Sequence, residues 1–391
     1  MANTINVNDV HTIINAIAQQ ATGRSIIAPV DSSGFVTVAT TLEKTGFNQT
    51  YNAISEVLGR TIFSMRPYSR KFKGLDYTNE EWGNFTRKIT PIDTEAIKPE
   101  EWELKNGTAV DMFKPQLNQL LQTNLYGSNA YVRQTTRTRE QIKTALRSES
   151  EFSSFWSMLV QNASDLIEQD KETTNRLTLA NLIAGVISAN APATVRHLFT
   201  EYKAHTGLTT LKPNDIYKPE YYKDFMLWAM GEIAIASDNM TDRTTLYHSN
   251  IVGKTVTRHT PYDKQRLYFY TPNKRHIEFN AFTNIFNPDF VKLAITETVN
   301  FWQNPQEPGS IEVKPAWMHT DGTIKTLEEP KKFNNIFAVL TDVETAGVNW
   351  YDEYTESTPV NALGSYYNTF YHFRARHFND FTENAIVFLL D

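Results

Sequence analysis

The chain is 391 residues long, 40% hydrophobic and 21% charged, with a formal net charge of −6 and no cysteine. That length exceeds one small core, so two domains or one elaborated domain are expected, and the balance excludes wholesale disorder. The missing cysteines remove disulfides, thiolate metal sites and cysteine nucleophiles, and the negative charge gives no global basic footprint for nucleic acid.

Aromatic residues are abundant: 18 Tyr, 23 Phe and 7 Trp. Rings in that number suit extensive interfaces and, equally, an aromatic-rich β core. The opening "MANTINVNDV" lacks a basic region followed by an apolar core, so no signal peptide is expected. No stretch approaches the ~20 apolar residues of a membrane-spanning helix.

In chain order, "NDVHTIINAIAQQA" (8–21) reads as an amphipathic helix with Val10, Ile13, Ile14 and Ile17 on one face. A short strand is expected at 35–38, and a second helix at "FNQTYNAISEVLGR", closed by Gly59. "GNFTRKITPI" and "NAYVRQTTRT" are polar, alternating runs that read as the two legs of a long hairpin. Between them lies the acidic "DTEAIKPEEWELKNGTAVDMFKPQ". An isolated polar ribbon is marginal in water, which points to support from another subunit.

Ser148 and Glu151 form a capping box. Beyond it apolar residues keep helical spacing through Leu159, Ala163, Leu166 and Ile167, and again from Leu179 to Ile187. One continuous helix over 148–190 would be about 60 Å long, and a break at 170–174 is the alternative. Residues 200–360 mix helices ("PEYYKDFMLWAMGEIAIA", "NPDFVKLAITETVNFW") with short strands ("RLYFYT", "NIFAVLT"). There is no regular βα alternation, so the class is α+β. At the end, "TFYHFRARHF" alternates and "NAIVFLL" does not; the two are expected to pair across a turn at Asn379 and Asp380. An unbroken apolar strand must be buried on both faces.

A search for catalytic chemistry finds little. "GKT" at 253–255 lacks the glycine a phosphate loop needs, since position 248 is His. His197, Glu201 and His205 stand at i, i+4 and i+8, which on a helix would place them near one face for a metal. Thr206 and Gly207 end that helix, and a solvated face is the stronger reading. The acidic stretch Asp342, Glu344, Asp352, Glu353 and Glu356 reads as an exposed loop, and Arg66, Arg70, Lys71 and Lys73 as a basic group for an acidic partner, DNA or solvent. No catalytic residue, metal or cofactor is assigned.

The order of parts resembles the major capsid proteins of tailed phages with the HK97-type fold, closest to those of small podoviruses, the phi29-like or picovirus group. Three stretches carry the resemblance: "FNQTYNAISEVLGRTIF", "TREQIKTALRSESEFSSFWSMLVQNASDLIEQDKETTNRLTLANLI" and the aromatic segment ending "FNDFTENAIVFLL". It implies an N-terminal arm (1–63), an extended hairpin or E-loop (64–140), a peripheral domain with a long spine helix (141–200 and 361–391) and an axial domain (201–360). No C-terminal immunoglobulin-like domain and no built-in scaffold are expected, so a separate scaffolding protein is implied. The implied function is a head shell of pentamers and hexamers, assembled in the host cytoplasm. Its further partners would be a portal and packaged double-stranded DNA held without sequence preference.

On that resemblance the hairpin tip, with Asp93, Glu95, Glu100, Glu101 and Glu103, is expected to face Arg66, Arg70 or Arg133 of a neighbour. Two rivals remain at this stage. One is an encapsulin-like cellular compartment; the other is a metal-dependent enzyme built on His197, Glu201 and His205.

Overall fold

The computed structural model describes residues 14–19, 69–77, 86–92, 119–125, 128–145, 149–189, 193–250, 256–275, 295–319 and 323–391, with a few isolated positions between. Residues 14–19 are helical, as expected, and Val38 is helical where a strand was expected. The helix expected at 47–60 and the cap residue Ser148 lie outside the described residues.

After a short helix α1 (Arg139–Ala145), residues Glu149–Ala189 form one unbroken helix of 41 residues, α2. The polar stretch at 170–174 does not break it. Thr173, Thr174 and Thr178 hydroxyls donate back to the carbonyls of Gln169, Asp170 and Thr174, so their polar atoms are satisfied within the helix and do not draw the backbone out of it. Glu168, Lys171, Thr174, Asn175 and Arg176 are buried because this midsection binds other segments by polar contacts. Farther along, Leu179, Leu182, Ile183 and Val186 are buried in apolar packing.

That packing is against a five-stranded sheet in the order β4 (Val195–His197), β14 (Ala385–Leu389), β11 (Ile336–Asp342), β5 (Gln265–Tyr270) and β6 (Ile295–Val299). All five residues of β14 are buried. Ala385, Val387 and Leu389 join the core shared with α2. Ile386 and Phe388 point the other way, into a core with helices α3 (Leu198–Thr206) and α4 (Pro219–Thr241). With helices on both faces the strand needs no polar side, and its unbroken apolar run follows. "ITETV", expected in a helix, is strand β6, paired parallel to β5; its β-branched residues suit that setting.

The second sheet has three strands in the order β12 (Ala346–Ser357), β13 (Tyr366–Asn379) and β3 (Ser128–Thr138). Two expected pairings do not form. "NAYVRQTTRT" lies in β3 and pairs with β13 over 11 positions; the first hairpin leg, β1 (Thr86–Pro91), pairs instead with β2 (Leu120–Leu125). The reason is that β3 has partners on β13: Tyr131 stacks on Phe373, and Arg137 donates to Thr369 and Tyr371. The closing segments β13 and β14 do not pair either, because the turn at 380–384 carries the chain from one sheet into the other. A strand with one wetted face and one buried on both faces belong to different layers.

The acidic stretch is an exposed loop only at Glu344, in the turn after β11 with its side chain 63% exposed. Asp342 ends β11 and is buried, while Asp352, Glu353 and Glu356 lie in β12. A bulge falls there, with Asp352 at φ 56°, and Glu353 meets Lys171 of α2 at 2.5 Å. The small strands β7 (Ile311–Val313) and β10 (Lys331–Phe333) pair with each other, as do β8 (Ala316–Met318) and β9 (Ile324–Thr326).

Segment 69–77, which leads toward the hairpin, is clamped by carboxylates. The backbone N–H groups of Arg70, Lys71 and Gly74 donate to Glu168, Glu172 and Glu297. A Cβ on Gly74 would lie 2.3 Å or less from the Glu297 carboxylate, so a larger residue there would push that carboxylate away from the Gly74 N–H it accepts from. Asn175, fully buried on α2, holds the Phe72 carbonyl and the Asp76 carboxylate.

Candidate inter-subunit surfaces

The β1–β2 hairpin has two unlike faces, set by the period of two along each strand. Lys88 and Thr90 turn inward, Thr90 being buried. Opposite them Ile89 and Leu120 are large apolar side chains left 57% and 68% exposed, and Pro91, register partner of Leu120, is exposed beside them. Phe113 and Leu117, just before β2, are more exposed still.

The inward face is held by charge. Lys88 Nζ lies 2.6 Å from Glu383, 2.9 Å from Asp380 and 3.2 Å from Glu344. Burial disfavours this ammonium, but Asp380 and Glu383 more than offset that and push it up to about 12. Arg258 braces the same spot, 3.1 Å from Glu383, with a hydrogen bond to the Thr382 carbonyl. The hairpin is therefore supported at its root by its own chain, not solely by a neighbour.

A second partly apolar surface lies on the outer face of the three-stranded sheet. Val132, His372 and Tyr354 stand in one cross-strand row, with His372 stacked on Tyr354 at 4.6 Å. Val132 is 51% exposed.

The residues expected to mediate subunit contact divide into two groups. Asp93, Glu95, Glu100, Glu101, Glu103 and Arg66 lie outside the described residues. Arg70 is bound within the chain, 2.6 Å from Asp76 and 3.7 Å from Glu168, with its side chain 10% exposed. Arg133 grips Asp170 of α2 through Nε and Nη2, yet its side chain remains 43% exposed. Lys88, Arg258, Asp380 and Glu383 were not singled out by sequence. The available signal was Lys88 at an inward position of an alternating strand.

His197, Glu201 and His205 do not converge. His197 closes β4 and is the N-cap of α3, outside its regular helical turns, and its Nδ1 contacts Asp391 at 2.6 Å. The Glu201 carboxylate is taken by the Arg196 guanidinium, and the His205 ring lies 6.1 Å from that of Trp228. Among the described residues no group of three His, Cys, Asp or Glu could hold a metal ion. Nor, among them, is any helix long and apolar enough to cross a membrane.

The mixed helix-and-strand fold as a whole is that of HK97-like phage capsid chains. A chain in the capsid structure of Staphylococcus phage Andhra is similar, with a TM-score of 0.51 and 12% identity over 82% of this chain and 84% of that one. A chain in the structure of the head fiber and inner core protein gp22 of native bacteriophage P68 is similar too, with a TM-score of 0.52 and 9% identity over 83% and 85%. At such identities the likeness shows the fold. No curated protein matches by sequence. The family does match: the profile of the Phi29-like phage major capsid protein fits residues 14–389. The chain belongs to that family, and its role is structural: it is a head-shell protein that assembles from copies of itself.

Proposed function

We propose that the chain builds a closed phage head from pentamers and hexamers around double-stranded DNA, with the β1–β2 hairpin laid over the adjacent subunit. The observation that carries this reading is the hairpin's outward apolar face, Ile89, Pro91 and Leu120, left in water by a chain that anchors the opposite face. Two different patches meeting around a ring make a heterologous contact, which closes when the rotation does. The mild net charge of −6 suits a container whose DNA must slide and leave.

In this reading residues 1–63 are the arm, 64–140 the E-loop, 141–200 with 361–391 the peripheral domain, and 201–360 the axial domain. A separate scaffolding protein and a portal complete assembly, which takes place in the host cytoplasm. The acidic residues Asp93, Glu95, Glu100, Glu101 and Glu103 reach the neighbour's basic side chains. Of the two described candidates Arg133 is the more accessible, while Arg66 completes the set. Exposed pairs contribute only about 0–1 kcal/mol each, so their role is orientation rather than affinity.

Reversing Glu100, Glu101 and Glu103 to Lys together tests this pairing. The expected result is a folded, soluble chain with an unchanged circular-dichroism spectrum that no longer forms shells. Normal particles from the triple variant would refute the pairing.

A further inference from the structure

We infer that Lys88 is the positioning residue of the β1–β2 hairpin, tying its direction to the turn that joins the two sheets. Lys88 is on the hairpin's inward face, and its two shortest contacts, Glu383 and Asp380, are both on the turn that links β13 of one sheet to β14 of the other. The side chains of Asp380 and Glu383 are only 2% and 8% exposed, so water cannot take the place of the ammonium.

The turn itself is fixed. Asp380 Oδ1 accepts from the backbone N–H and the hydroxyl of Thr382, and the Asp380 N–H donates to the Thr345 carbonyl at 2.6 Å. Asn384 donates to the Thr260 hydroxyl, and the Phe381 carbonyl accepts from the Ser249 N–H. The anchor is thus held from several elements, and what it grips must follow it.

Among the described residues, burial contributes little to fixing the hairpin's angle. No residue of β2 is fully buried. A cavity of about 360 Å³ lies against the root, lined by Tyr77, Arg87, Lys88, Leu125 and Phe378 among others. The root is thus loosely packed on that side, and the charge cluster is its tightest described contact. Arg258 adds a weaker brace through the Thr90 hydroxyl at 3.4 Å.

This coupling stands on geometry alone; only its consequence for the shell rests on the proposed assembly. It is tested by hydrogen–deuterium exchange on the soluble, unassembled full chain as wild type, Lys88→Met and Lys88→Arg. Lys88→Met should speed exchange at Thr86–Pro91 and Leu120–Leu125 by about tenfold or more, while β11 and β14 keep wild-type protection. Lys88→Arg, which can also bridge two carboxylates, should restore the hairpin's protection. Because Lys88→Met strands two buried carboxylates, a triple variant with Asp380→Asn and Glu383→Gln serves as control and should show the same fast hairpin over an intact turn. Unchanged hairpin exchange in Lys88→Met, or protection lost equally across β13 and β14, would overturn the inference. No shell is needed for this readout, so its failure would leave the head-shell role standing, and failed assembly would leave the tether standing.

Discussion

Burial pushes both His248 and His377 below the usual histidine range, so the folded chain keeps them neutral. Around His248, Arg258 also opposes charging while the Ser249 carbonyl and Asp380 favour it. A histidine whose folded pKa lies under its unfolded value makes stability fall as pH drops, because the unfolded chain takes up the proton first. Asp76, Glu297 and Asp342 have the opposite sign: burial raises them, so they favour the folded state only as pH nears the carboxylate range. The melting temperature should therefore fall between about pH 7 and about pH 5.5, and fall less in a His377→Gln variant. A flat profile across that window in the wild type would contradict neutral, buried histidines. None of this is visible in the sequence, which shows residue types but not their surroundings. The same limit hid the hairpin anchor, since Lys88 and Asp380 are 292 positions apart.

At the scale of elements, the terminal strand is the clearest case of physics read in advance. An apolar run without alternation requires cover on both faces, and β14 has α2 on one and α3 with α4 on the other. Phe388 is fully buried in the second of these cores, so Phe388→Ala should cost about 3–5 kcal/mol in urea unfolding. A loss below about 1 kcal/mol would mean that the strand peels without consequence to the core. The long helix was legible too, because spacing of apolar residues is local. Strand partners were not. The alternation of "NAYVRQTTRT" marks one wetted face but cannot choose between β1 and β13, and that choice was made by Tyr131 stacking on Phe373. "ITETV" is ambiguous for the same reason, since a short run of β-branched residues fits a helix's spacing as well as a strand's.

For the whole molecule, the central features are its unfinished surfaces. Ile89, Pro91 and Leu120 on the hairpin, and Val132 with Tyr354 on the sheet, sit where the chain alone gives them no full cover. Single exposed apolar residues need no explanation, but paired ones on one hairpin face suit cover by another copy of the chain. The family match over residues 14–389 and the phage capsid fold place the chain among head-shell proteins. The most direct test is electron microscopy of the purified chain, expressed alone and together with its neighbouring phage genes. Rings or closed shells in at least one preparation are predicted. Monodisperse monomers or dimers in both would contradict the account.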